Sequence, residues 1–83
     1  MVKSFEASIE FLYEMLAFVT NEALSIGFSS EQVQKIELAM EEALVNIIHH
    51  AYHDKPGDID VQISSVFGQS ITITLKDEGP PFN

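Results

Sequence analysis

Residues 36–52 read Ile36-Glu37-Leu38-Ala39-Met40-Glu41-Glu42-Ala43-Leu44-Val45-Asn46-Ile47-Ile48-His49-His50-Ala51-Tyr52. No glycine or proline interrupts them, and none occurs from Glu31 to about His53. At about 100° per residue, Val33, Ile36, Met40, Ala43, Leu44, Ile47 and Ala51 fall on one side of a helix. A helix is expected here, with that side against a core. One amide, Asn46, breaks the apolar run from Ala43 to Ile48. A buried amide must find hydrogen-bond partners; otherwise it faces water or a ligand. Glu42 stands one turn earlier on the same face, and His49 and His53 follow one and two turns later. This face is roughly opposite the apolar one. Two readings stay open, the solvated side of an amphipathic helix and a polar strip lining a cleft. Leu38 and Val45 on one border, with Ala39 on the other, favour the strip.

Working outward, Ser29-Ser30-Glu31-Gln32 has the form of a capping box, with Ser29 as the cap and Gln32 at the third position. Asp54-Lys55-Pro56-Gly57 ends the helix, because proline and glycine both break helices. Upstream, Ile9, Leu12, Leu16, Val19, Ala23 and Ile26 recur at three and four, which predicts another helix with Ser8 as N-cap and Gly27 as stop. Phe11, Met15 and Phe18 form a second apolar stripe on it. That stripe suits either a second packing neighbour or a partner contact. Downstream, Ile59, Val61 and Ile63 alternate with polar residues, as do Ile71, Ile73 and Leu75. Phe67-Gly68-Gln69-Ser70 joins them, so a β-hairpin is expected. Asp77-Glu78-Gly79-Pro80-Pro81 stops the second strand. Residues 2–5 are compatible with a short leading strand. The expected fold class is α+β, a two-layer sandwich with two helices packed on an antiparallel hairpin or sheet.

Eighty-three residues suit a single domain. A chain of this size buries only about 60–65% of its unfolded surface. There is no cysteine, which fits a reducing compartment and excludes a disulfide framework. With 46% hydrophobic and 20% charged residues, the chain is not of disordered composition. Its apolar stretches end well short of the ~20 residues a membrane span needs. No leader peptide is expected. Thirteen acidic residues face four lysines and no arginine, a net charge of -9. Lys3, Lys35, Lys55 and Lys76 form no patch, so neither nucleic acid nor an anionic membrane is an expected partner. A basic protein partner suits this field.

Other chemistries find little support. The spacing of His49 and His53 suits two metal ligands on one helical face, but the glutamate of H-E-x-x-H is missing and no cysteine adds a ligand. Solvated histidines are the expectation. There is no G-x-S-x-G elbow, no Walker-type loop and no G-x-G-x-x-G. Asp77 and Gly79, taken alone, read as turn residues.

Taken together, Glu42-x-x-x-Asn46 on a helix, then a hairpin, then Asp77-x-Gly79 at the exit of its second strand resemble the histidine-kinase-like ATPase superfamily. That superfamily has the Bergerat fold. Within it the chain is most similar to the bacterial anti-sigma-factor serine kinases. Residues 36–52 resemble the family's N box, and Asp77-Glu78-Gly79-Pro80-Pro81-Phe82 its first glycine box. The resemblance runs from about Ser8 to the end of the sequence.

What the resemblance implies can be set out residue by residue. Glu42 is implied as the general base acting on a substrate serine or a water. Asn46 is implied as a nucleotide-site residue that coordinates Mg2+ through its side-chain oxygen. Asp77 would accept a hydrogen bond from the adenine amino group, and Gly79 would let the backbone approach the base. His50 and Ala51 fall where the family helix borders the nucleotide. Implied cofactors are ATP and Mg2+. Implied partners are a sigma factor and an anti-anti-sigma protein, with a homodimer, in the cytoplasm. Pro81 occupies the second glycine position of the box. The phosphate-gripping glycine-rich box and lid belong beyond Asn83. The sequence is therefore expected to be one C-terminally incomplete ATPase domain over 1–83. The alternative is a non-catalytic interaction module of the same fold with little or no ATP binding.

Overall fold

The alternation and helical periodicity resolve into six elements. The computed structural model describes residues 1–51, 57–67 and 69–77. In chain order these hold β1 (Val2–Glu6), a 3-10 turn (Ile9–Phe11), α1 (Leu12–Ser25), α2 (Ser30–Ala51), β2 (Asp58–Val66) and β3 (Ser70–Asp77). The sheet is antiparallel, ordered β1-β2-β3.

Central strand β2 sets the layering. Its residues Ile59, Val61 and Ile63 point to one side and are buried. Register places Phe5 across from Ile59, and Leu75 and Ile73 across from Val61 and Ile63. Directly opposed residues share a face of the sheet. The other face carries Ser4, Asp60 and Lys76 in one cross-strand row, and Gln62 and Thr74 in the next. The Ser4 hydroxyl donates to the Asp60 carboxylate. One greasy face and one polar face are what a two-layer arrangement requires.

Both helices supply the covering layer. Leu12, Met15, Leu16 and Val19 of α1 join Met40, Leu44 and Ile48 of α2 over Phe5 and the β2 row. The expected face of α2 holds for Val33, Met40 and Leu44, which are buried, and for Ile36, Ala43 and Ile47, which are half-buried. Ile48 is buried as well, so the covered sector of α2 is wider than the sequence stripe. Ala51 lies outside the described side chains. The second stripe of α1 is largely core. Met15 is fully buried, and the Phe18 ring meets Phe5 at 5.7 Å between centroids, tilted by 59°. The Lys3 ammonium caps this aromatic pair, 5.2 Å from the Phe5 centroid.

The start of the first helix departs from expectation. Ser8 is extended, makes no side-chain cap, and opens a 3-10 turn; α1 proper begins at Leu12. The Phe11 N–H donates to the Ser8 carbonyl at 3.0 Å, closing that tight turn first. Gly27 does end α1, with φ 99°, a region only glycine enters at little cost. Phe28 N–H donates to Ala23 C=O and Gly27 N–H to Leu24 C=O, both at 3.2 Å, the paired bonds of a Schellman end. Ser29 and Gln32 then form the expected capping box. Ser29 N–H donates to Gln32 Oε1 at 2.9 Å, and Gln32 N–H to Ser29 Oγ at 3.2 Å.

The hairpin agrees with the alternation, pairing Val66 with Ser70 at its tip. Gly68, the helix-ending run 54–56 and the proline stop at 80–81 lie outside the described residues. Among the described residues no helix is long and apolar enough to cross a membrane.

Candidate functional site

Helix α2 presents its two chemically distinct sides at once. Leu44 is fully buried, while Glu42 and Asn46, two residues to either side, are exposed. A two-residue step turns a helix by about 200°, so the core holds one side and thereby aims the other outward. Glu42 and Asn46 are four apart and therefore neighbours, with about 5–6 Å between Cβ atoms in an α-helix. Neither side chain has a hydrogen-bond or ion-pair partner among the described residues. His49 is exposed beside them. At the borders, Val45 is half-buried against the core, whereas Leu38 and Ala39 are exposed. Within the described residues the strip is thus an open face with one apolar margin on the core.

Asp77 reaches the same layer from the sheet. It closes β3 and pairs with Ile59, whose side chain is buried under the helices. Asp77 therefore stands on the helix-covered side of the sheet, at its exposed end. Period-two alternation made this legible, since Ile71, Ile73, Leu75 and Asp77 share one face. The fold brings Glu42 and Asn46 together directly. It contributes Asp77 from a separate element.

Comparison with known proteins now adds to the geometry. A family model described as the histidine kinase-like ATPase domain matches residues 5–83. The chain belongs to this family. Among curated relatives, the serine-protein kinase RsbW of Oceanobacillus iheyensis is 32% identical over 59 residues, covering 70% of this chain and 37% of that protein. The protein of the same name from Bacillus licheniformis is 32% identical over 62 residues, covering 74% and 38%. That of Bacillus subtilis is 29% identical over 62 residues, with the same coverage. The chain thus spans well under half the length of these relatives.

In this histidine kinase-like ATPase domain, Glu42 and Asn46 lie on the outward side of α2 and Asp77 at the end of β3. The donor set suits a magnesium nucleotide. Asn46 offers a hard amide oxygen that no bond among the described residues consumes, which is the ligand type Mg2+ prefers. Among the described residues no group of three or more His, Asp or Glu could hold a metal by itself. A shared site with phosphate oxygens and waters is the arrangement these residues fit. Gly79, His53 and the side chains of His50 and Ala51 lie outside what is described.

Proposed function

We propose that residues 1–83 are part of one ATP-binding domain of a serine protein kinase of the anti-sigma-factor type, acting in the cytoplasm. Support comes first from Glu42 and Asn46, exposed, without a partner among the described residues and one turn apart on α2. Family membership and relatives called serine-protein kinases add to it.

In this reading the Glu42 carboxylate accepts the proton of the attacking serine hydroxyl and orients that oxygen. Asn46 would hold the metal through its amide oxygen. Asp77 would accept a hydrogen bond from the adenine amino group, and the resemblance assigns Gly79 and His50 to the same nucleotide site. Magnesium-bound ATP supplies the transferable phosphoryl group, and its cation offsets repulsion from a chain of charge -9. The reading takes an anti-anti-sigma protein as phosphoacceptor and a sigma factor as a second bound partner, on a homodimeric enzyme. Phosphate-gripping backbone donors are assigned to the remainder of the natural polypeptide.

The test uses that natural polypeptide. Calorimetry is expected to show Mg2+-dependent ATP binding that Asn46→Ala weakens. Glu42→Ala is expected to lower phosphotransfer by about 10²–10⁴-fold, the usual range for a general base, with ATP binding retained. Phosphotransfer that survives Glu42→Ala unchanged would remove the carboxylate from its role.

A further inference from the structure

His49 is exposed on α2, three residues after Asn46, and has no hydrogen-bond or ion-pair partner among the described residues. A histidine near the end of a helix has one ordinary use, as a cation facing the negative end of the helix dipole. A second ordinary use is an ion pair along the helix, and here the sequence denies it. The positions three and four away are Val45, Asn46, Tyr52 and His53, so no carboxylate is within helical reach. What His49 does have beside it is the amide of Asn46.

We infer that His49 is a second protein ligand, beside Asn46, for the nucleotide-bound divalent cation, and that it shifts the preference of the site from Mg2+ toward Mn2+. The inference rests on Asn46 holding that cation and deepens that reading by one residue and one metal preference.

Placement, direction and donor chemistry carry it. Residues three apart on an α-helix are neighbours, with a rise of about 4.5 Å and about 5–6 Å between Cβ atoms. The same spacing of an oxygen and an imidazole ligand, Glu-x-x-His, builds metal sites in helical bundles. Helical side chains lean toward the N-terminus and cover the turn before their own. His49 therefore overhangs Asn46, on the side away from Glu42, and the Glu42 carboxylate stays clear for its own task. Mg2+ is hard and takes oxygen ligands and water. Mn2+ takes the same oxygens and, as a transition-metal ion, also an imidazole nitrogen. Two protein atoms do not make a self-sufficient site. This agrees with there being, among the described residues, no group of three or more His, Asp or Glu that could hold a metal. Phosphate oxygens complete the set, so the cation arrives with the nucleotide.

The test uses the natural polypeptide with Mn2+ and ATP. Pulsed electron paramagnetic resonance reads a nitrogen modulation from an imidazole bound directly to Mn2+. That modulation is expected in the unaltered protein, and it is expected to change when histidine is ¹⁵N-labelled. It is expected to vanish in His49→Ala and to persist in His53→Ala. In calorimetry, His49→Ala is expected to weaken Mn2+-dependent ATP binding by at least about tenfold, the lower end of what losing even an outer partner of a metal costs. Mg2+-dependent ATP binding is expected to hold in the same variant. A histidine serving only the helix dipole would alter stability and give no modulation to lose. The inference is overturned, with ATP binding left standing, if the Mn2+-ATP complex shows no histidine modulation. Survival of the modulation in His49→Ala overturns it too, as does equal weakening with both cations. Failure of the unaltered protein to bind ATP with either cation is a separate outcome, which removes the kinase reading and this inference together.

Discussion

Replacing Asn46 by alanine is expected to make the fold more stable. Asn46 sits inside a 22-residue helix, exposed, with no partner for its amide among the described residues. No contact among those residues is lost when it goes. Asparagine is a poor helix former because its amide competes for the backbone, and alanine is the best one. The gain expected for an exposed interior position is about 0.5 kcal/mol. For a domain of this size that raises the melting temperature by about 2–4 °C. Leu44→Ala, two residues away, supplies the contrast. Leu44 is fully buried between α1 and the sheet, and its loss is expected to cost about 3 kcal/mol. That is a large share of the ~4–12 kcal/mol such a domain has. Urea denaturation of both variants, with Mg2+-dependent ATP binding followed in parallel, reads the two sides of the helix separately. The signature of a functional residue is stability rising while binding falls. If Asn46→Ala instead lost 1 kcal/mol or more, the amide would belong to the fold and its metal role would have no basis.

Three further perturbations test the scaffold. Ser29→Ala removes one bond of the capping box and is expected to cost about 1 kcal/mol in chemical denaturation. Gly27→Ala forces a β-carbon into a position with φ 99°, at an expected cost of about 1–2 kcal/mol, measured the same way. A double-mutant cycle on Phe5 and Phe18 is expected to give a coupling of about 0.5–1.5 kcal/mol, as for other tilted ring pairs; a value near zero would mean the rings merely share a core.

Sequence pattern made the two helices and the hairpin legible, because each is set by local chemistry. The Ser29–Gln32 box and Gly27 have short-range causes and appear as read. The start of α1 was less legible, since Ser8 could cap an α-helix or open a tighter turn, and the chain takes the turn. Where β1 pairs could not be read at all. Its partners lie 52–60 positions away in β2, and no local pattern encodes a pairing at that distance. The width of the buried sector on α2 was also hidden. Ile48 looked peripheral by periodicity but meets a three-stranded sheet broad enough to cover it. For the candidate site, the strand register places Asp77 on the helix side of the sheet. The function proposed for Glu42 and Asn46 was suggested by their ordered pairing with Asp77-x-Gly79, since an exposed polar pair alone is common on any amphipathic helix.

The joint between the helices has a mechanical consequence. From Ile26 to Ser29 every turn of backbone is tied. Gly27 and Phe28 bond back to α1, and Ser29 is locked to Gln32 of α2. Such a connection leaves few soft dihedrals between the two helices, so the polypeptide has little slack at this corner and an insertion there would have to break the ties that end one helix and begin the next.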